Sequence, residues 1–129
     1  PAVVLYLAGI AWTLFYDTIY AHQDIEDDAL IGVKSTARLF AEKTPDWLRR
    51  FLALTVGLMG IAVIFSALPD ASDLAMVFAL AGPCAMGWHM AWQLRGLDIN
   101  DPANCMQLFR VNRDTGIIPL FFFAIALFV

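Results

Sequence analysis

Two long runs without a charged residue constrain this chain more than any other feature. Phe51–Leu68 covers 18 residues and Leu74–Leu94 covers 21, and neither contains Asp, Glu, Lys or Arg. A helix needs about 20 apolar residues to cross a bilayer, so each run can span alone. Two further apolar stretches, Val3–Tyr16 and Ile117–Val129, lie against the ends of the sequence and would span if the parent chain continues past them. Backbone polar groups in lipid must be satisfied within the segment, and strand-like alternation is absent, so the spans are helices. The expectation is an all-α, multi-pass transmembrane helical bundle. Composition agrees: 60% of the 129 residues are hydrophobic and 16% charged, against about 45–50% and about 25% in soluble domains. A soluble globule of this size has too little interior to bury so much apolar surface.

The charges are segregated. All eight basic residues lie outside the charge-free runs: Lys34, Arg38, Lys43, Arg49 and Arg50 follow the first stretch, and Arg95, Arg110 and Arg113 follow the third. The turn at Pro69–Asp73 has none. By the positive-inside rule the two basic segments are cytoplasmic and the acidic turn faces outward. The expected localisation is a bacterial inner membrane with these basic segments on its cytoplasmic side. The net charge of -4 argues against nucleic-acid binding. Pro83 falls inside the third stretch, where it is expected to kink the helix. Asp101 or Asn104 is expected to cap the helix after the Gly96–Asn104 connection. Cys84 and Cys105 are not expected to pair. With no initiator Met, no basic n-region and apolar runs at both ends, the sequence is expected to be a piece of a longer membrane protein.

The chemistry concentrates in Tyr16–Asp28, YDTIYAHQDIEDD, which follows the first apolar stretch with no turn residue between. If the helix continues, Asp17, Ala21, Asp24 and Asp28 share one face. Asp24 and Asp28 are then one turn apart, with roughly 6 Å between their Cβ atoms. Stacked carboxylates repel unless a cation lies between them, and low dielectric sharpens that cost. Oxygen ligands suit Mg²⁺, which takes one or two carboxylates plus substrate phosphates. The stripe therefore reads as an Mg²⁺–diphosphate site; the plainer reading is a solvated acidic helix end. Glu26 and Asp27 point off the stripe.

Other features are weaker. The segment Gly32-Val33-Lys34-Ser35-Thr36 lacks the earlier glycine of a phosphate-binding P-loop. Lys34 and Arg38, one turn apart, are either diphosphate ligands or positive-inside anchors. His22 and His89 are read as hydrogen-bonded helix residues. Asp98, Asn100 and Asp101 resemble the start of a Ca²⁺ loop, but Pro102, the missing sixth-position glycine and Phe109 at the twelfth position exclude one. Trp12, Trp47, Trp88 and Trp92 fit packing and interface roles.

Residues 16–40, YDTIYAHQDIEDDALIGVKSTARLF, resemble the second aspartate-rich region of the UbiA superfamily of intramembrane prenyltransferases. The stretch Cys105–Gly116, CMQLFRVNRDTG, is similar to that family's late Phe-Arg-x-Asn-x-x-x-Gly pattern. The family's D-x-x-x-D element falls on Asp24 and Asp28, and Asp17, Tyr20 and Lys34 match neighbouring positions. Its first motif, N-D-x-x-D-x-x-x-D, is not in this chain. The resemblance implies that residues 1–129 are the C-terminal portion of one membrane domain, about four helices of roughly nine. It implies Mg²⁺-dependent transfer of a polyprenyl group from polyprenyl diphosphate to the ring of 4-hydroxybenzoate, as in ubiquinone biosynthesis. On that basis Asp17, Asp24 and Asp28 are the catalytic candidates and Asp24 and Asp28 the metal ligands. Tyr20, Lys34 and Arg38 are the substrate-binding candidates. The chain alone is expected to be inactive.

Two alternatives stay open at this point, and a third is excluded. Another branch of the superfamily, of the haem O synthase or chlorophyll type, would share these motifs. A cation-coupled transporter would place charges within its spans, and the second and third stretches have none. A CDP-alcohol phosphotransferase would need a D-G-x-x-A-R pattern that is missing here.

Overall fold

The computed structural model describes residues 1–23, 30, 32, 39–67 and 70–129. Within them the chain forms four long α-helices and no strand: α1, Ala2–Gln23; α2, Thr44–Ala67; α3, Asp73–Gly96; and α4, Pro102–Ala126. A short 3-10 turn, Ala41–Lys43, leads into α2. Of the four helices, α1 (Ala2–His22), α2 and α3 are long and apolar enough to cross a membrane. Helix α4 differs. Its apolar run from Ile117 onward is the second half of a 25-residue helix that starts at Pro102, so Arg110 and Arg113 sit on helical turns rather than in a connection.

The helix starts follow from local chemistry. The Ser72 hydroxyl accepts from the Ala75 amide at 3.1 Å, capping α3. The Asp101 carboxylate accepts from the Ala103 and Asn104 amides at 3.0 and 3.4 Å, capping α4 with Pro102 beside it. Asn104 ties the α3–α4 connection shut. Its amide nitrogen donates to the Gly96 carbonyl at 2.8 Å and its oxygen accepts from the Asp98 amide at 2.8 Å. Asp98 in turn accepts from the Asn100 amide. These acids hold a turn and a helix cap. Helix α3 runs unbroken through Pro83, which is buried.

Each helix packs against its sequence neighbours, and α4 closes against α1. Phe15, Ile19, Leu48, Met86 and Met90 are fully buried at the centre. Close approach at the α1–α4 crossing depends on Gly116, where a Cβ would lie 2.5 Å from the Trp12 ring. Small residues serve this purpose between membrane helices, where packing drives association. The starts of α1 and α3 and the ends of α2 and α4 line one apolar cavity, so successive helices are antiparallel and polar residues gather at the opposite end.

Candidate functional site at the polar end of the bundle

Helix α1 carries the first functional candidates into its last two turns. Asp17 is exposed, and Tyr20 is partly exposed, its ring 4.7 Å from that of Phe109 on α4. Tyr16 lies edge-on to Trp12 at 5.2 Å and to Phe109 at 6.0 Å. The two stretches that were informative in the sequence, 16–23 and 105–116, therefore face each other across one helix pair. Asp24, Asp28, Lys34 and Arg38 lie outside the described residues, as do Glu26 and Asp27. Among the described residues no three His, Cys, Asp or Glu side chains gather to hold a metal ion, so Asp17 is the one candidate carboxylate that can be located.

Beneath this surface runs a polar relay that the sequence reading did not assemble. Trp12 Nε1 donates to Asn112 Oδ1 at 3.2 Å. Asn112 Nδ2 donates to Gln93 Oε1 at 2.7 Å and to the Leu108 carbonyl at 3.0 Å. Gln93 Nε2 donates to the Thr115 hydroxyl at 2.8 Å, and that hydroxyl lies 2.7 Å from His89 Nδ1. Gln93, Asn112 and Thr115 are all buried. An indole N–H can only donate, so Trp12 fixes the Asn112 amide, which fixes Gln93 in turn. The Thr115 hydroxyl also lies 3.5 Å from the Val111 carbonyl, to which it donates. The signal was present in the sequence: His89 and Gln93 are four apart in a charge-free span, and Asn112 and Thr115 are three apart.

Further contacts anchor the same end. His22 Nε2 lies 2.8 Å from the Thr44 hydroxyl in a buried contact that joins the end of α1 to the start of α2. Phe40 stacks on Trp47 at 4.7 Å, and the Arg50 guanidinium lies 4.7 Å from the Trp47 ring. Both cysteines are free, Cys84 exposed and Cys105 buried. Cys105 donates to the Asp98 carbonyl at 3.4 Å. Burial, with Asp101 and Asp98 nearby, pushes its thiol up to about 11.

A paired aromatic and polar face on antiparallel membrane helices belongs to many proteins; comparison with known families decides among them. The model of the UbiA prenyltransferase family matches residues 1–126. The chain belongs to that family. The UbiA assignment carries curated relatives with it. The chain is 47% identical over 114 residues to a Bos taurus protein named 4-hydroxybenzoate polyprenyltransferase, mitochondrial; the match covers 88% of this chain and 29% of the relative. It is 44% identical over 113 residues to the Dictyostelium discoideum protein of that name, covering 88% and 23%, and 42% identical over 114 residues to the Homo sapiens one, covering 88% and 29%. The chain thus spans less than a third of the length of these relatives. No solved structure matches it.

These relatives correct one expectation. They are mitochondrial proteins of eukaryotes, which overturns the bacterial inner-membrane location. Charge segregation reports which segments share a side of a bilayer and carries no information about which membrane that is. The multi-pass character stands.

Proposed function

We propose that this chain is part of an enzyme that transfers a polyprenyl group from polyprenyl diphosphate to 4-hydroxybenzoate, at the ring carbon ortho to the hydroxyl. The supporting observation is the 42–47% identity to proteins of that name over 88% of the chain. In this reading the allylic C–O bond breaks, diphosphate leaves with the electron pair, the ring carbon forms the new C–C bond, and the ring proton passes to a base. Asp17, exposed near the end of α1, is the carboxylate that in this reading opposes the positive charge developing on the allylic carbon or takes that proton. Tyr20 presents an aromatic face beside it, and Lys34 and Arg38 supply cations for diphosphate oxygens. Asp24 and Asp28 are the proposed metal ligands, their hard oxygen donors suiting Mg²⁺. Bound there, Mg²⁺ would neutralise charge on the leaving diphosphate. The helix walls keep water from the allylic centre.

The test is turnover by the full-length parent protein in membranes, given Mg²⁺, polyprenyl diphosphate and 4-hydroxybenzoate. Prenylated 4-hydroxybenzoate with equimolar diphosphate is expected. Prenylation of a different acceptor, with 4-hydroxybenzoate left untouched, would move the chain to another branch of the family.

A further inference from the structure

Between α1 and α4, at the edge of the relay, lies a groove of about 460 Å³ lined by Tyr16, Phe109, Arg110, Asn112 and Arg113. Its size falls within the range of about 300–1,000 Å³ usual for small-ligand sites. Tyr16 and Phe109 supply aromatic walls, their centroids 6.0 Å apart and planes inclined by 60°. Asn112 shapes the floor, with both amide ends already engaged by Trp12, Gln93 and the Leu108 carbonyl. Tyr16 gives its hydroxyl proton to Thr13 at 3.3 Å, which leaves the cations as the donors free to meet a ligand. Arg110 makes no ion pair among the described residues. Arg113 has one ion pair among the described residues, 3.5 Å to its exposed neighbour Asp114. Exposed pairs of that kind are weak and readily exchanged.

Aromatic walls with guanidinium groups at the rim select a flat ring that carries one delocalised anion. A guanidinium matches a carboxylate with two parallel hydrogen bonds, and ring faces prefer edge-on or offset aromatic partners. We infer that this groove seats the aromatic carboxylic acid, its ring against Tyr16 and Phe109 and its carboxylate on Arg110 and Arg113. The inference rests on the proposed reaction and assigns a subsite for its acceptor. It also supplies a reason for two arginines on a helix that packs against the aspartate-bearing one: the acceptor is held through its carboxylate, away from the hydroxyl side of the ring that reacts.

Equilibrium binding to the purified full-length protein tests the groove separately from turnover. The probes are radiolabelled 4-hydroxybenzoate and 4-hydroxybenzamide, which keeps the ring and hydroxyl but has no charge. The unaltered protein is expected to bind the acid about tenfold or more tightly than the amide, the size of effect expected for a charge-assisted pair. Arg110→Gln together with Arg113→Gln should bind the two alike, Arg110→Lys should keep part of the preference, and polyprenyl diphosphate affinity should change less than about twofold. An acid preference that survives in the double variant overturns the assignment. So does a loss of diphosphate affinity with acid binding intact, because the cations would then serve the diphosphate. The binding pattern without turnover counts against the proposed reaction and leaves the groove standing; turnover without the pattern counts against the groove alone.

Discussion

Asp24, Asp28 and Asp27 are close in sequence, yet helical spacing predicts that Asp24 and Asp28 share a face that Asp27 does not. In the full-length enzyme Asp24→Ala or Asp28→Ala is expected to lower turnover about a hundredfold or more, ~3 kcal/mol, the loss typical of one transition-state electrostatic contact. Asp27→Ala should cost far less, because the i, i+4 spacing of the proposed stripe skips it. Equal losses at Asp24 and Asp27, measured as kcat with saturating substrates, would sink the shared-face argument. Cys105 makes a second residue-level prediction. Its thiol is held at about 11, so the protonated form dominates near neutrality and the nucleophilic thiolate is scarce. Maleimide labelling followed by mass spectrometry should find Cys105 unmodified at pH 8 in the folded protein. Folding favours the protonated thiol, and the unfolded chain loses that proton first. The stabilisation is therefore present below about pH 9 and is lost as pH rises towards 11.

At the scale of the element, α4 does two jobs that differ along its length. Its first half presents Arg110 and Arg113 outward and Asn112 inward; its second half is apolar. The relay through Asn112 connects α1, α3 and α4, and breaking it in the middle strands buried groups at both ends. Asn112→Leu leaves the Trp12 N–H and Gln93 Oε1 without these partners and is expected to cost about 1–3 kcal/mol. Adding Gln93→Leu removes one of the stranded groups, so the double variant should lose less than the sum of the single losses. Thermal unfolding of the full-length protein in detergent, run as a double-mutant cycle, reads the coupling. Strict additivity would mean that the relay is not a unit.

For the whole molecule, antiparallel packing places the Gly96–Asp101 connection and the 70–73 turn at opposite ends of the bundle. A cysteine introduced at Asn100 and one at Ala71 should react with an impermeant thiol reagent from opposite sides of a sealed membrane. Labelling of both from one side would refute a three-span core. The given sequence also lacks the family's first aspartate-rich motif, N-D-x-x-D-x-x-x-D. Residues 1–129 alone, reconstituted with Mg²⁺, polyprenyl diphosphate and 4-hydroxybenzoate, are expected to yield no product. Robust turnover by this chain would show that the first motif is not required for the reaction.

Helical class and two of the spans could be read from residues 51–68 and 74–94 alone, because lipid leaves a charge-free run of that length little choice but a helix. The caps at Ser72 and Asp101 are equally local: a short polar side chain satisfies amides two or three residues on. The aspartate stripe is an expectation from helical periodicity and a familiar motif. What α4 presents to α1 was a different matter. Trp12 and Asn112 are 100 residues apart, and no local rule pairs them. Their contact depends on Gly116 letting α4 approach the Trp12 ring. Only the packed bundle could turn isolated polar residues in apolar helices into a directed relay. The same packing made a cation-rimmed groove from arginines that, read along the chain, were indistinguishable from membrane anchors.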